Sequence, residues 1–217
     1  MMDEDNKKKK DKDKDKSIIE KIESISAQER SKIDGRVEEF LALNKRGSEE
    51  WFLELCFCIM TANFNAERAM RIQESIGKGF LTMGEEELAG ALKAFGHRFP
   101  SSRAGYIVRA RAYSHTIKEI LSRDDKRDWL VENICGIGYK EASHFLRNTG
   151  HFDYAIIDFH ILDFLERGAM IKKPKNLSKK IYLAIEKDLI DIAEKLSMPL
   201  GVLDLYLWFL ETGKVLK

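Results

Sequence analysis

The stretch Asp128-Trp-Leu-Val-Glu-Asn-Ile-Cys-Gly-Ile-Gly-Tyr-Lys-Glu-Ala-Ser-His-Phe-Leu-Arg-Asn-Thr-Gly150 decides the fold. Trp129, Leu130 and Ile134 share one helical face, Gly136-Ile137-Gly138 interrupts it, and Ala142, Phe145 and Leu146 resume the helical period. The spacing predicts helix, glycine hairpin, helix over about 128–148. Two glycines around one apolar residue allow backbone conformations closed to other residues, and Ile137 can anchor the turn in the core. The bare amides of such a turn, and of the helix start behind it, make an anion site. A DNA phosphate is the expected occupant, with Gly136 and Gly138 as its contacts.

Lys140 falls in the first turn of the second helix, where the positive end of the helix dipole disfavours a protonated amine. A neutral amine is what a lysine needs to attack a carbon and form a Schiff base. Asp158 follows eighteen residues later, after Gly150 ends the helix, and stands directly before a new apolar run at Ile161, Phe164 and Leu165. As an N-cap it would be fixed beside that helix start. Each residue has a plainer reading: Lys140 as a solvated lysine, Asp158 as a simple cap, the glycines as an ordinary interhelical turn. Their joint order is much harder to reach by chance.

Gly-Ile-Gly-Tyr-Lys140 followed by Ile-Ile-Asp158-Phe-His160 resembles the helix-hairpin-helix superfamily of DNA glycosylases, and within it the archaeal-type 8-oxoguanine DNA glycosylase/AP lyase family. The likeness runs through Leu55-Cys-Phe-Cys-Ile-Met-Thr-Ala-Asn63, Gly96-His-Arg-Phe99, Asp204-Leu-Tyr-Leu-Trp208 and Thr212-Gly-Lys-Val-Leu-Lys217, so it covers roughly residues 30–217. Ile156-Ile157 precede the aspartate where the wider superfamily often has glycine or proline. The resemblance implies an all-α fold with two helical subdomains flanking an active-site cleft. It also implies a base-excision repair enzyme that is both a DNA N-glycosylase and an AP lyase, with Lys140 and Asp158 catalytic. Trp208 would stack on the flipped base, and the terminal Lys217 would help recognise the oxidised purine. Asn63 would contact the base left opposite, and His160 would join the glycines at the phosphates. Read without the resemblance, Trp208 is a core residue, Lys217 a frayed end and Asn63 a cap for the next helix.

No metal or cofactor is implied, although hairpin carbonyls could hold a structural monovalent cation. The expected partner is double-stranded DNA containing 8-oxoguanine, bound by a monomer. Two rival readings stay open: a glycosylase for another oxidised base, and a helix-hairpin-helix module that grips DNA without cutting it.

Composition narrows the classes further. With 217 residues and 44% hydrophobic content the chain can build one large domain or two small ones. There is no run of eighteen apolar residues and no signal-peptide pattern, so a cytoplasmic, DNA-associated protein away from membranes is expected. Cys56, Cys58 and Cys135 fit neither a disulfide set nor a metal finger, and they are one short of the iron–sulfur cluster that the endonuclease III group carries. Cys56 and Cys58 read as reduced core residues.

The net charge is +1, and residues 1–16 supply it with seven lysines against six acids. The remaining body is neutral, so DNA affinity must come from local placement of amides and basic groups. Residues 1–16 have no apolar residue after Met2 and are expected to be a disordered charged tail, either a loose DNA tether or a solubility segment. Residues 17–217 then form the glycosylase domain.

Along that domain, Ile18, Ile22, Ile25, Ile33, Val37 and Phe40 mark helical faces, and Ser48 is a fair N-cap for a helix through Trp51, Leu55 and Ile59. Gly77 and Gly96 read as helix stops, and Pro100 opens a helix through Tyr106 and Ala110. His97, Arg98, Arg103, Arg109 and Arg111 are candidate phosphate contacts or simply a basic solvated face. Ser178 starts a helix through Ile185, Leu189 and Ile192, and Pro199 suits the first turn of the last one. No segment alternates with period two, so no sheet is expected.

Overall fold

A computed structural model describes residues 16–217; all of the charged tail expected over 1–16 except Lys16 lies outside them. Among the described residues there are helices and connections but no strand. In chain order the helices are α1 (16–23), α2 (Ala27–Asn44), α3 (Ser48–Thr61), α4 (Ala66–Ile76), α5 (Gly79–Thr82), α6 (Glu85–Ala94) and α7 (Pro100–Ala110). They continue with α8 (Ile117–Ile120), α9 (Lys126–Asn133), α10 (Tyr139–Asn148), α11 (Phe159–Arg167), α12 (Lys179–Lys195) and α13 (Leu200–Thr212). None of them is long and apolar enough to cross a membrane.

The chain divides into two compact units. The first takes the described residues up to Val37 together with Phe152–Val215; the second takes Glu38–His151 and returns for Leu216–Lys217.

In the first unit α11 and α12 each pack on α13. Its core joins Ile18, Ile22 and Ile33 to Ile161, Leu165, Tyr182, Leu189, Leu203 and Leu207, all at most 2% exposed. Burying each such side chain is worth about 1.5–3 kcal/mol. The helical face that begins at Ile18 is broken after residue 23, and the Arg30 guanidinium takes the carbonyls freed there, Ile22 at 2.6 Å and Ile25 at 3.1 Å.

The second unit is built on α3. Every residue from Leu55 to Thr61 is buried, so this helix is apolar all round and needs neighbours on every side. It finds them in α4, α5, α7, α8 and α10. Its N-cap is Gly47 rather than Ser48; Ser48 is the first helical residue and its hydroxyl accepts the Lys118 amide at 3.3 Å. Asn65, not Asn63, caps α4, its side chain accepting the Arg68 amide at 3.0 Å. Pro100 opens α7 as expected, whereas Pro199 stands just before α13, with Leu200 its first residue.

Candidate active site

Helix α9 ends at Asn133, and the hairpin passes through Ile134, exposed Cys135 and Gly136 to Gly138, the N-cap of α10. Gly136 has φ of +81°, and a Cβ placed there would lie 2.3 Å from the Tyr106 ring, so both backbone shape and space require glycine. Gly138 differs. Its φ of −105° is open to any residue, and its amide is already taken by the Glu141 carboxylate at 3.2 Å. Of the two hairpin glycines, only Gly136 is thus held in a backbone conformation that requires glycine. Ile137 is 6% exposed and anchors the turn in the core.

Lys140 is the second residue of α10 and is half-buried. One helical turn on stands His144, buried, its ring edge-on to Phe57 at 5.6 Å, with neither ring nitrogen in a hydrogen bond of good geometry. Burial first, then the charges of Arg147 and Lys140, push this imidazole well below its ordinary pKa, opposed by an acceptor from the Lys217 backbone. The ring is therefore neutral at physiological pH. Cys58 is fully buried, and burial together with the Glu54 carboxylate raises its thiol well above the usual range. A reduced core thiol is what the apolar run implied.

The last residue of the chain lies in the same unit. The Lys217 ammonium is 2.8 Å from Glu54 Oε2, hydrogen bonds Gln73 Oε1 and sits 4.3 Å from the centre of the Phe57 ring. Asn148 Nδ2 donates to the other oxygen of Glu54 at 2.6 Å, and the Arg147 guanidinium donates to Asn148 Oδ1. Lys217 is thus tied down rather than frayed. Glu54, Gln73, Asn148 and His144 were not singled out from the sequence. Glu54 left one signal: a carboxylate in the buried stretch of a strongly apolar helix must find a cation.

Asn63 is exposed and has φ of +57°, a left-handed conformation that asparagine tolerates better than most residues. The chain before it is clamped by His97 Nε2 on the Met60 carbonyl at 3.0 Å and by Arg103 on the Ala62 carbonyl at 2.7 Å. Arg111 likewise donates to the Phe80 carbonyl at 2.7 Å. Three of the five candidate phosphate contacts are thus engaged with backbone, while Arg98 and Arg109 stay exposed.

Asp158, His160 and Trp208 belong to the first unit. Asp158 Oδ1 accepts the Ile161 amide at 3.0 Å, so it caps α11 as its position predicted. The segment before it is held from α12: Tyr182 Oη donates to the Ala155 carbonyl at 2.6 Å and accepts the Ile157 amide at 3.1 Å, while Glu186 accepts the Ala155 amide at 2.9 Å. Ile156 and Ile157, the departure from the superfamily pattern, are both buried. Exposed His160 meets Trp208 edge-to-face at 4.8 Å, and the Trp208 indole nitrogen is buried without a hydrogen-bond partner.

Residues 33–198 match the family model described as 8-oxoguanine DNA glycosylase. The chain belongs to the 8-oxoguanine DNA glycosylase family. An 8-oxoguanine DNA glycosylase/AP lyase from Methanocaldococcus jannaschii is 52% identical over 206 residues, covering 92% of this chain and 99% of that protein. One from Korarchaeum cryptofilum is 51% identical, over 87% of this chain and 91% of its own. Among solved structures, the Methanocaldococcus jannaschii 8-oxoguanine glycosylase/lyase in complex with a 15mer DNA containing 8-oxoguanine matches 93% of this chain and all of that one, with a TM-score of 0.89. The Thermotoga maritima 8-oxoguanine DNA glycosylase, 43% identical, matches 94% of this chain with a TM-score of 0.88. The all-helical architecture is that of these glycosylases.

Proposed function

We propose that this family member removes 8-oxoguanine from double-stranded DNA and cuts the strand at the same site, with Lys140 as the nucleophile. The damaged nucleotide leaves the base stack, because the glycosidic carbon cannot be reached within it. The Lys140 nitrogen attacks the sugar carbon that carries the base. The base departs with the electrons of the glycosidic bond and takes up a proton. The lysine nitrogen loses one of its two protons and keeps the other, and the ring oxygen takes up a proton as its bond to the same carbon breaks and the sugar opens to an iminium. Loss of a proton from the neighbouring sugar carbon then expels the 3′ phosphate by β-elimination, which nicks the strand. The Asp158 carboxylate stabilises positive charge developing on the sugar and takes a proton from the amine. Trp208 stacks on the base, Lys217 helps tell it from guanine, Asn63 meets the base left opposite, and Gly136, Gly138 and His160 line the phosphates. The enzyme would work in whichever compartment holds the DNA.

The observation that carries this reading is Lys140 itself, a half-buried amine in the first turn behind the glycine hairpin. A solubility lysine is better placed at the other helix end. The test is a panel of duplexes holding 8-oxoguanine, an oxidised pyrimidine or no lesion. Cleavage of the first alone supports the assignment; cleavage of the pyrimidine duplex points to another lesion range, and binding without cleavage to a DNA-gripping module.

A further inference from the structure

We propose that Glu54 is a positioning residue for lesion specificity: buried in α3, it holds the ammonium of Lys217 and so fixes the chain end against which the base is read. The inference rests on the role given to Lys217 above.

Ordering a lysine side chain and the backbone that carries it opposes folding, so specific contacts must hold Lys217 in place. Here three groups hold the ammonium: Glu54 Oε2 at 2.8 Å, Gln73 Oε1 and the face of Phe57 at 4.3 Å. The lysine side chain is only 17% exposed and the carboxylate 6%. With its charge satisfied in this way, the ammonium serves as an anchor rather than as a group that meets a ligand.

The carboxylate is itself fixed before Lys217 arrives. Asn148 Nδ2 donates to Oε1 at 2.6 Å, and Gln73 Nε2 reaches Oε2 at 3.3 Å while also donating to the Leu53 carbonyl at 2.9 Å. Asn148 is oriented by Arg147, whose guanidinium lies 5.0 Å from the centre of the Phe40 ring. The ten-residue helix α10 carries Lys140 in its first turn and Asn148 at its end. One rigid element therefore sets both the nucleophile and the carboxylate that fixes the chain end, which is the kind of support that holds a site to a fraction of an ångström.

A purely structural anchor would stabilise the terminus without affecting which base is removed, and three variants separate the two roles: Glu54→Gln, a chain ending at Leu216, and both together. Excision is measured on 8-oxoguanine and guanine duplexes, and nicking on a duplex with a preformed abasic site, which has no base to read. Glu54→Gln is expected to lower the 8-oxoguanine-to-guanine excision ratio about tenfold or more and to change abasic nicking by less than about twofold. It should add no further loss in the shortened chain, as two changes to one unit do. A wild-type ratio in Glu54→Gln beside a lost ratio in the shortened chain overturns the role of Glu54. A wild-type ratio in the shortened chain overturns the role of Lys217 and this inference with it. Should Glu54→Gln also lose abasic nicking, Gln73→Leu decides, since it removes one acceptor of the ammonium and leaves the carboxylate. A lowered ratio there upholds the anchor; an unchanged one overturns it.

Discussion

Tyr182 accepts the Ile157 amide at 3.1 Å on the same hydroxyl that donates to the Ala155 carbonyl at 2.6 Å. Both backbone groups are on buried residues immediately before Asp158. Tyr182→Phe keeps the ring and strands both, which costs about 1–3 kcal/mol. Single-turnover excision is expected to slow by about tenfold to a hundredfold as Asp158 loses its fixed place. Chemical denaturation checks the first figure, and excision under conditions where the variant is fully folded checks the second.

The two hairpin glycines should respond differently to alanine. Gly136→Ala meets both a φ of +81° and the Tyr106 ring at 2.3 Å, whereas Gly138→Ala meets only Glu141 Oε2 at 3.3 Å. The first is expected to cost about 2–4 kcal/mol and the second under about 1 kcal/mol. Thermal melting of the pair tests this, and equal losses would contradict it.

Asn63 joins a strained backbone to an exposed amide, and two substitutions separate them. Asn63→Ala should destabilise by about 1 kcal/mol because of the positive φ, while Asn63→Gly should not. Both should flatten the preference for the base opposite the lesion, measured as excision from four duplexes. A preference retained in Asn63→Gly would remove the side chain from base reading.

Acid sensitivity should follow His144. Its folded pKa lies below the unfolded value of about 6.5, so the unfolded chain takes up this proton first. The contribution is therefore fully present above that pH and is lost as pH falls toward the folded pKa, at about 1.4 kcal/mol per pH unit. His97 is shifted the same way, again chiefly by burial, so His144→Phe should make the slope shallower without abolishing it. Denaturation midpoints between pH 8 and pH 5 give the slope.

Much of the hairpin was legible because its signals are local. Gly136 breaks the helical period, Ile137 is apolar at the turn, and Asp158 stands where a cap must. The cap of α4 was misread by two residues, since Asn63 and Asn65 are chemically the same and only the backbone torsions separate them. The anchoring of Lys217 was not legible at all. Its partner Glu54 lies 163 residues away, and no periodicity links a buried acid to a basic terminus. His97 and Arg103 misled for a related reason: a basic side chain that satisfies a backbone carbonyl looks, in sequence, the same as one facing a phosphate.

Excision and strand cutting at one site require that the amine of Lys140 become covalently joined to the sugar. Borohydride reduction during turnover of an 8-oxoguanine duplex freezes such an imine as a stable protein–DNA cross-link. A cross-linked species is expected with the wild-type chain and none with Lys140→Gln, which should remain folded and still bind the duplex. A cross-link of wild-type yield from Lys140→Gln would contradict that requirement.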